Sequence, residues 1–254
     1  MRSIIVAISF FLSFFTVSSQ QTDNLFESAN QLYNDGKYQE AINNYLKIIE
    51  NGEHSASLYF NLGNAYYKLN RVAPSIYYYE KALQLSPNDS DITNNLLYAQ
   101  NMTVDAIEVL PQTGFSKILQ GLIGKVSYNT WAITSILCML LFVITFLVYY
   151  FSSYQNKKRL FFIISITSLL FSLLSLIFAF TGYNYVNSKK PAIVFAKETG
   201  VNAEPNHRSN EIFVLHEGTK VNVEEEMGEW KKIKLADGKT GWLPSTEIKE
   251  IKDF

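Results

Sequence analysis

The sequence predicts a multidomain membrane protein: an all-α repeat solenoid, a transmembrane helical hairpin and a small all-β barrel. Three observations carry this: a periodicity of about 34 residues over 22–89, two charge-free apolar runs at 131–151 and 160–182, and short β-prone runs separated by turn signals from 190 onward.

The 254-residue chain has a formal net charge of −1, distributed as about −5 over 23–105, about +4 over 106–188 and about −1 beyond. No region is basic enough for a nucleic-acid footprint, so no nucleic-acid partner is expected. The single cysteine, Cys138, lies inside an apolar run, which excludes a disulfide framework and a thiol metal pair and reads as a packing residue.

Arg2, the apolar run Ile4 to Phe15 and the small residues Val17, Ser18 and Ser19 predict a secretory signal peptide over 1–19. Its apolar core is shorter than the roughly 20 residues of a spanning helix, which argues against a retained anchor.

The repeats occupy 22–105, as copies at 22–55 and 56–89 followed by a capping helix over 89–103. Gly36-Lys37-Tyr38-Gln39-Glu40-Ala41 aligns with Asn70-Arg71-Val72-Ala73-Pro74-Ser75, and Ala29, Leu32 and Tyr45 with Gly63, Tyr66 and Tyr79. Small residues at Ala29, Ala41, Gly63 and Ser75 let paired helices approach closely. Pro74 falls in a first helical turn, where its missing N–H has no intrahelical partner to lose. The segments Tyr59 to Tyr67 and Lys81 to Pro87 closely resemble the tetratricopeptide consensus.

That resemblance implies a concave groove that binds peptides or protein partners, lined by the first helix of each pair. By register the groove residues are Phe26, Asn30, Tyr33, Phe60, Asn64, Tyr67, Asn94 and Tyr98. Rings supply contact area and amides bond an extended backbone; the alternative for each ring is repeat-to-repeat packing. One known groove type clamps a terminal carboxylate with Lys and Arg. Here the matching positions are Phe26, Asn30, Asn61, Asp91 and Asn95, so no such clamp is expected.

Over 114–127, Phe115, Ile118, Leu119, Leu122, Ile123 and Val126 recur at helical spacing opposite polar residues. This predicts an amphipathic juxtamembrane helix that either lies on the membrane surface or packs on the repeats. The apolar runs that follow are each about 21 residues or more, enough to cross a ~30 Å hydrocarbon core. Between them the short loop 152–159 carries Lys157, Lys158 and Arg159, which places it in the cytoplasm and both flanking domains outside. The expected location is the cytoplasmic (inner) membrane, with two passes and both domains periplasmic.

Over 190–254, runs at Ala192 to Phe195, Ile212 to Leu215, Lys220 to Glu224 and Lys231 to Leu235, with Asp237-Gly238 as a hairpin cue, predict a small antiparallel barrel. Leu215 to Val221, Trp230 to Leu235 and Gly241-Trp242-Leu243-Pro244 resemble the bacterial Src-homology-3-like (SH3b) family, some of whose members bind peptides or cell-wall components. Trp230 and Trp242 either form a ligand surface or pack the barrel.

No nucleophile elbow, phosphate-binding glycine loop or metal-ligand motif occurs. His54, His207 and His216 are scattered along the chain and read as solvated surface residues, and Glu224-Glu225-Glu226 reads as a solvated strand edge or loop. No catalytic, cofactor-binding or metal-binding residue is predicted, and the expectation is a non-enzymatic adaptor.

The order of parts, with Tyr59 to Pro87 and Phe213 to Pro244 carrying most of the likeness, resembles the BatE group of aerotolerance-related membrane proteins. The likeness implies partners of the von Willebrand A-domain membrane type and a MoxR-type ATPase, in oxygen tolerance or envelope stress. The alternative is a cell-wall sensor binding peptidoglycan through the barrel, disfavoured by a cytoplasmic loop too short to dock a partner.

Overall fold

The computed structural model describes residues 24–108, 126–187 and 189–251. The signal peptide expected at 1–19 lies outside the described residues, as does all of the amphipathic segment except its last two positions. The chain divides into two compact units, one formed by residues up to Val109 together with Lys190–Phe254, the other by Leu110–Lys189.

In the first unit, helix α1 runs through 24–34. It is followed by α2 (Tyr38–Glu50), α3 (Ala56–Lys68), α4 (Val72–Leu85) and α5 (Ser90–Gln100). The sequence period reappears in backbone geometry. Gly36 (φ 78°) ends the first helix of one pair and Asn70 (φ 55°) that of the next, both left-handed. The closing hydrogen bonds repeat as well: Lys37 N–H donates to Leu32 O and Arg71 N–H to Tyr66 O, while Gly36 and Asn70 N–H donate to Tyr33 O and Tyr67 O. Asn takes this conformation because its side chain tolerates it better than most non-glycine residues.

Ser55 caps α3 and Asp89 caps α5, each accepting backbone N–H groups from the first turn. Ala29, Ala41, Gly63 and Ser75 are buried where paired helices meet, and Ser75 Oγ donates to Gly63 O at 3.0 Å. Pro74 is the third residue of α4, so the helix continues undisturbed.

The β part of this unit has seven strands: β1 (Pro191–Val194), β2 (Glu198–Asn202), β3 (Glu211–His216), β4 (Lys220–Met227), β5 (Trp230–Lys234), β6 (Thr240–Pro244) and β7 (Ile248–Glu250). They form one antiparallel sheet in the order β3-β2-β6-β5-β4-β1-β7. Its interior holds Val194, Val201, Leu215, Val223, Ile233 and Leu243. Gly238 (φ 89°) turns β5 into β6. Of the two readings for Glu224, Glu225 and Glu226, the solvated strand edge is the one observed, since all three are exposed on a strand. They lie in β4 beyond its pairing with β1, beside β5 alone, and pair with Lys234, Lys232 and Lys190. Ile193 and Ile251 join the apolar cluster of the helices, so helices and sheet share buried surface.

The second unit is a helical hairpin of α6 (Tyr128–Phe151) and α7 (Gln155–Asn187). Both helices are long and apolar enough to cross a membrane. Ser127 caps α6 through Thr130 N–H. The connection expected over 152–159 is shorter than the sequence indicates, because Lys157, Lys158 and Arg159 lie in the first turn of α7. Cations there oppose the helix dipole, so local helix stability does not account for them. The facing seam is made of small residues, Ser165, Ser168, Ser172, Ser175 and Ala179, spaced alternately three and four apart. Ser135 and Ser172 each donate to the other's carbonyl at 2.9 Å, and Ser168 Oγ donates to Cys138 O at 2.6 Å. Trp131 against Phe178 (5.0 Å) and Tyr149 against Phe162 (5.4 Å) close its two ends.

Candidate functional site

The repeat helices present a recess of about 210 Å³ lined by Tyr33, Asn64, Tyr67, Lys68, Tyr79, Asn95 and Tyr98. Four of the eight groove residues expected from register therefore converge: Tyr33, Asn64, Tyr67 and Tyr98. Asn94 does not. It is exposed, and its neighbour Asn95 faces the recess, because one residue on an α-helix turns the side chain by about 100°. Lys68 is a cation that the register argument missed; the signal was available, since Lys68 lies four residues from Asn64 on the same helical face.

Phe26, Asn30 and Phe60 do not line this recess. Phe26 packs on Tyr45 at 5.9 Å and Phe60 on Tyr79 at 6.0 Å, the same contact one repeat apart. Phe26 also borders a separate recess of about 300 Å³ with Ile48, His54 and Leu58.

Asn30 and Asn64 are oriented by matching networks. Tyr45 Oη and Asn61 Nδ2 donate to Asn30 Oδ1 at 2.6 and 2.9 Å, and Tyr79 Oη and Asn95 Nδ2 donate to Asn64 Oδ1 at 2.6 and 3.4 Å. Burial pushes Tyr45 up to about 12 and also raises Tyr79, so both hydroxyls remain donors. With Oδ1 occupied, each Asn offers Nδ2 as its remaining donor, while Asn95 offers an acceptor. Spaced amide donors and acceptors beside rings suit an extended peptide backbone. The recess holds a lysine at its edge and none of the clustered Lys and Arg of a carboxylate clamp.

Residues 56–89 match the tetratricopeptide repeat family model. Residues 200–249 match the bacterial SH3 domain family model. No curated protein matches the chain. The chain therefore contains a tetratricopeptide repeat, a module type associated with protein–protein interaction, and a bacterial SH3 domain, a type associated with cell-wall binding.

In the SH3 domain the burial of both tryptophans fits the packing alternative better than an open aromatic platform. Trp230 and Trp242 are both buried, Trp230 beneath the His207 ring at 4.9 Å and Trp242 with Lys232 Nζ 6.0 Å from its centroid. Of the histidines, His54 and His207 are exposed as expected, His54 also stacking on Tyr59, whereas His216 is half-buried with Nδ1 2.7 Å from Asp105. Among the described residues no cluster of three or more metal-ligating side chains occurs.

Proposed function

We propose that this chain is a non-enzymatic, membrane-anchored adaptor whose tetratricopeptide groove holds an extended segment of a protein partner. The observation that carries the reading is the pair of tyrosine-oriented asparagines, Asn30 and Asn64, with Asn64 set among Tyr33, Tyr67 and Tyr98. Photo-crosslinkers at Tyr33 and Tyr67 in intact membranes should capture a defined protein. Asn64→Ala should reduce capture about 3- to 10-fold, the range for losing one net hydrogen bond. Absence of any captured protein at either position would sink the groove reading.

The apolar hairpin is the proposed anchor in the cytoplasmic membrane, with Lys157, Lys158 and Arg159 holding its connection inside. Two spans return the chain to the side it left, which agrees with a unit assembled from both sequence regions that flank the hairpin. An export-dependent reporter fused after Phe254 should be active and one at Asn156 inactive; a cytoplasmic C-terminus would overturn this topology. The likeness to the BatE group supports partners of the von Willebrand A-domain type and a MoxR-type ATPase in oxygen tolerance or envelope stress. A second reading, peptidoglycan binding, rests on the bacterial SH3 match. Burial of Trp230 and Trp242 counts against rings that stack on sugars.

A further inference from the structure

The outer face of the second repeat is occupied by the chain's own SH3 domain. Gly218, in the turn between β3 and β4 (φ +88°), comes so near the helices that a Cβ there would lie 2.8 Å from Thr103 Cγ2, 2.9 Å from Val72 Cγ1 and 3.0 Å from Ile76 Cδ1. Phe195 meets Tyr77 edge-on at 5.8 Å. Lys249 Nζ sits 4.5 Å from the Tyr77 centroid, 5.8 Å from Phe195 and 6.0 Å from Tyr78, a cation held by three rings. Two charged contacts frame this patch: Lys220 with Glu80 at 2.6 Å, and Asp105 with the turn His216 to Thr219.

We propose that the SH3 domain is the structural cap of the repeat array, so that the groove and the barrel form one cooperative unit into which the membrane hairpin is inserted. Repeat pairs cannot bury their apolar faces alone, and arrays generally need three or more repeats or dedicated caps. This chain has two pairs and α5, and Val72, Ile76 and Tyr77 on the outer side of α4 are buried in the presence of the barrel. The same helix carries Tyr79, whose hydroxyl orients Asn64 in the groove. Uncovering Tyr77 and Tyr78 therefore loosens the helix that organises the recognition site. The groove reaches its binding form only after residues beyond the second apolar helix have been made and folded beside it.

Hydrogen exchange on the full chain in lipid nanodiscs tests this, with radical footprinting of Tyr77 reporting release of the barrel. Lys249→Glu places a carboxylate against the rings on an unstrained strand, and Gly218→Ala adds a methyl where the turn meets α4. Both should expose Tyr77 and speed exchange across α2, α3 and α4 at least about tenfold. Gly218→Ala also strains a left-handed turn at φ +88°, so Lys249→Glu, which leaves that turn untouched, separates release of the barrel from local strain. If Tyr77 becomes exposed while α2 and α3 keep wild-type protection, the domains are independent and the proposal fails. It fails equally if Tyr77 stays covered in both variants.

Discussion

Replacing Gly63 with Val should destabilise the repeat domain by about 1–3 kcal/mol, the range for overpacking a filled core, and abolish groove binding. A Cβ at position 63 would lie 2.7 Å from both Cδ1 and Cε1 of Tyr79, a ring that is 1% exposed and has nowhere to move. Ala29 occupies the equivalent place in the first repeat and is fully buried in one cluster with Tyr45, so one methyl is accommodated there. A β-branched side chain adds two more carbons against the same ring. Tyr79 cannot shift without releasing Asn64 from its hydroxyl, so recognition should fail together with stability. Thermal unfolding and crosslink yield should fall in parallel; a variant that unfolds early yet captures the partner normally would separate Tyr79 from recognition.

Asp105→Ala should cost about 2–3 kcal/mol, because it removes a charged acceptor and strands the donors it served. Asp105 Oδ2 accepts His216 N–H at 2.7 Å and Thr219 Oγ1–H at 2.5 Å, while Oδ1 meets His216 Nδ1 at 2.7 Å. Burial alone would raise this carboxyl, but hydrogen bonds from Thr219 and His216 outweigh it and hold Asp105 below the usual carboxylate range. A depressed folded-state value means the ionised form stabilises the fold at pH above the unfolded value of about 3.9 and loses that contribution as pH falls through the folded value. The wild type should therefore lose melting temperature more steeply than Asp105→Asn on acidification below about pH 4. Parallel profiles for the two proteins would remove Asp105 from the account.

The helical repeats were legible because each structural demand falls at the same place in both copies: a left-handed turn at Gly36 and Asn70, close contacts at Ala29 and Gly63, tilted ring pairs at Phe26 with Tyr45 and Phe60 with Tyr79. Period alone does not say which of two adjacent positions faces the recess. Asn94 continues the Phe26 and Phe60 position, which packs within the repeats instead of lining the recess, whereas Asn95 stands 34 residues after Asn61 and repeats its bond to the groove asparagine. In the sheet, the runs around β1, β3, β4 and β5 announced themselves by β-branched residues. Strand β2 reads Glu-Thr-Gly-Val-Asn and owes its place to pairing with β3 and β6. The contact between Asp105 and His216 joins residues 111 positions apart, and no local pattern encodes it.

The hairpin has an energetic consequence for the contact between the repeats and the barrel. In the proposed topology, chain segments rooted in one bilayer and returned to one side would meet at an effective concentration of about 1 mM, as short tethers provide. An interface with an intrinsic dissociation constant of only about 10 μM would then be closed about 99% of the time. The few contacts at Glu80, Asp105 and Lys249 can thus hold the two domains together with modest intrinsic strength. Cutting the chain within the hairpin would dilute the same surfaces apart.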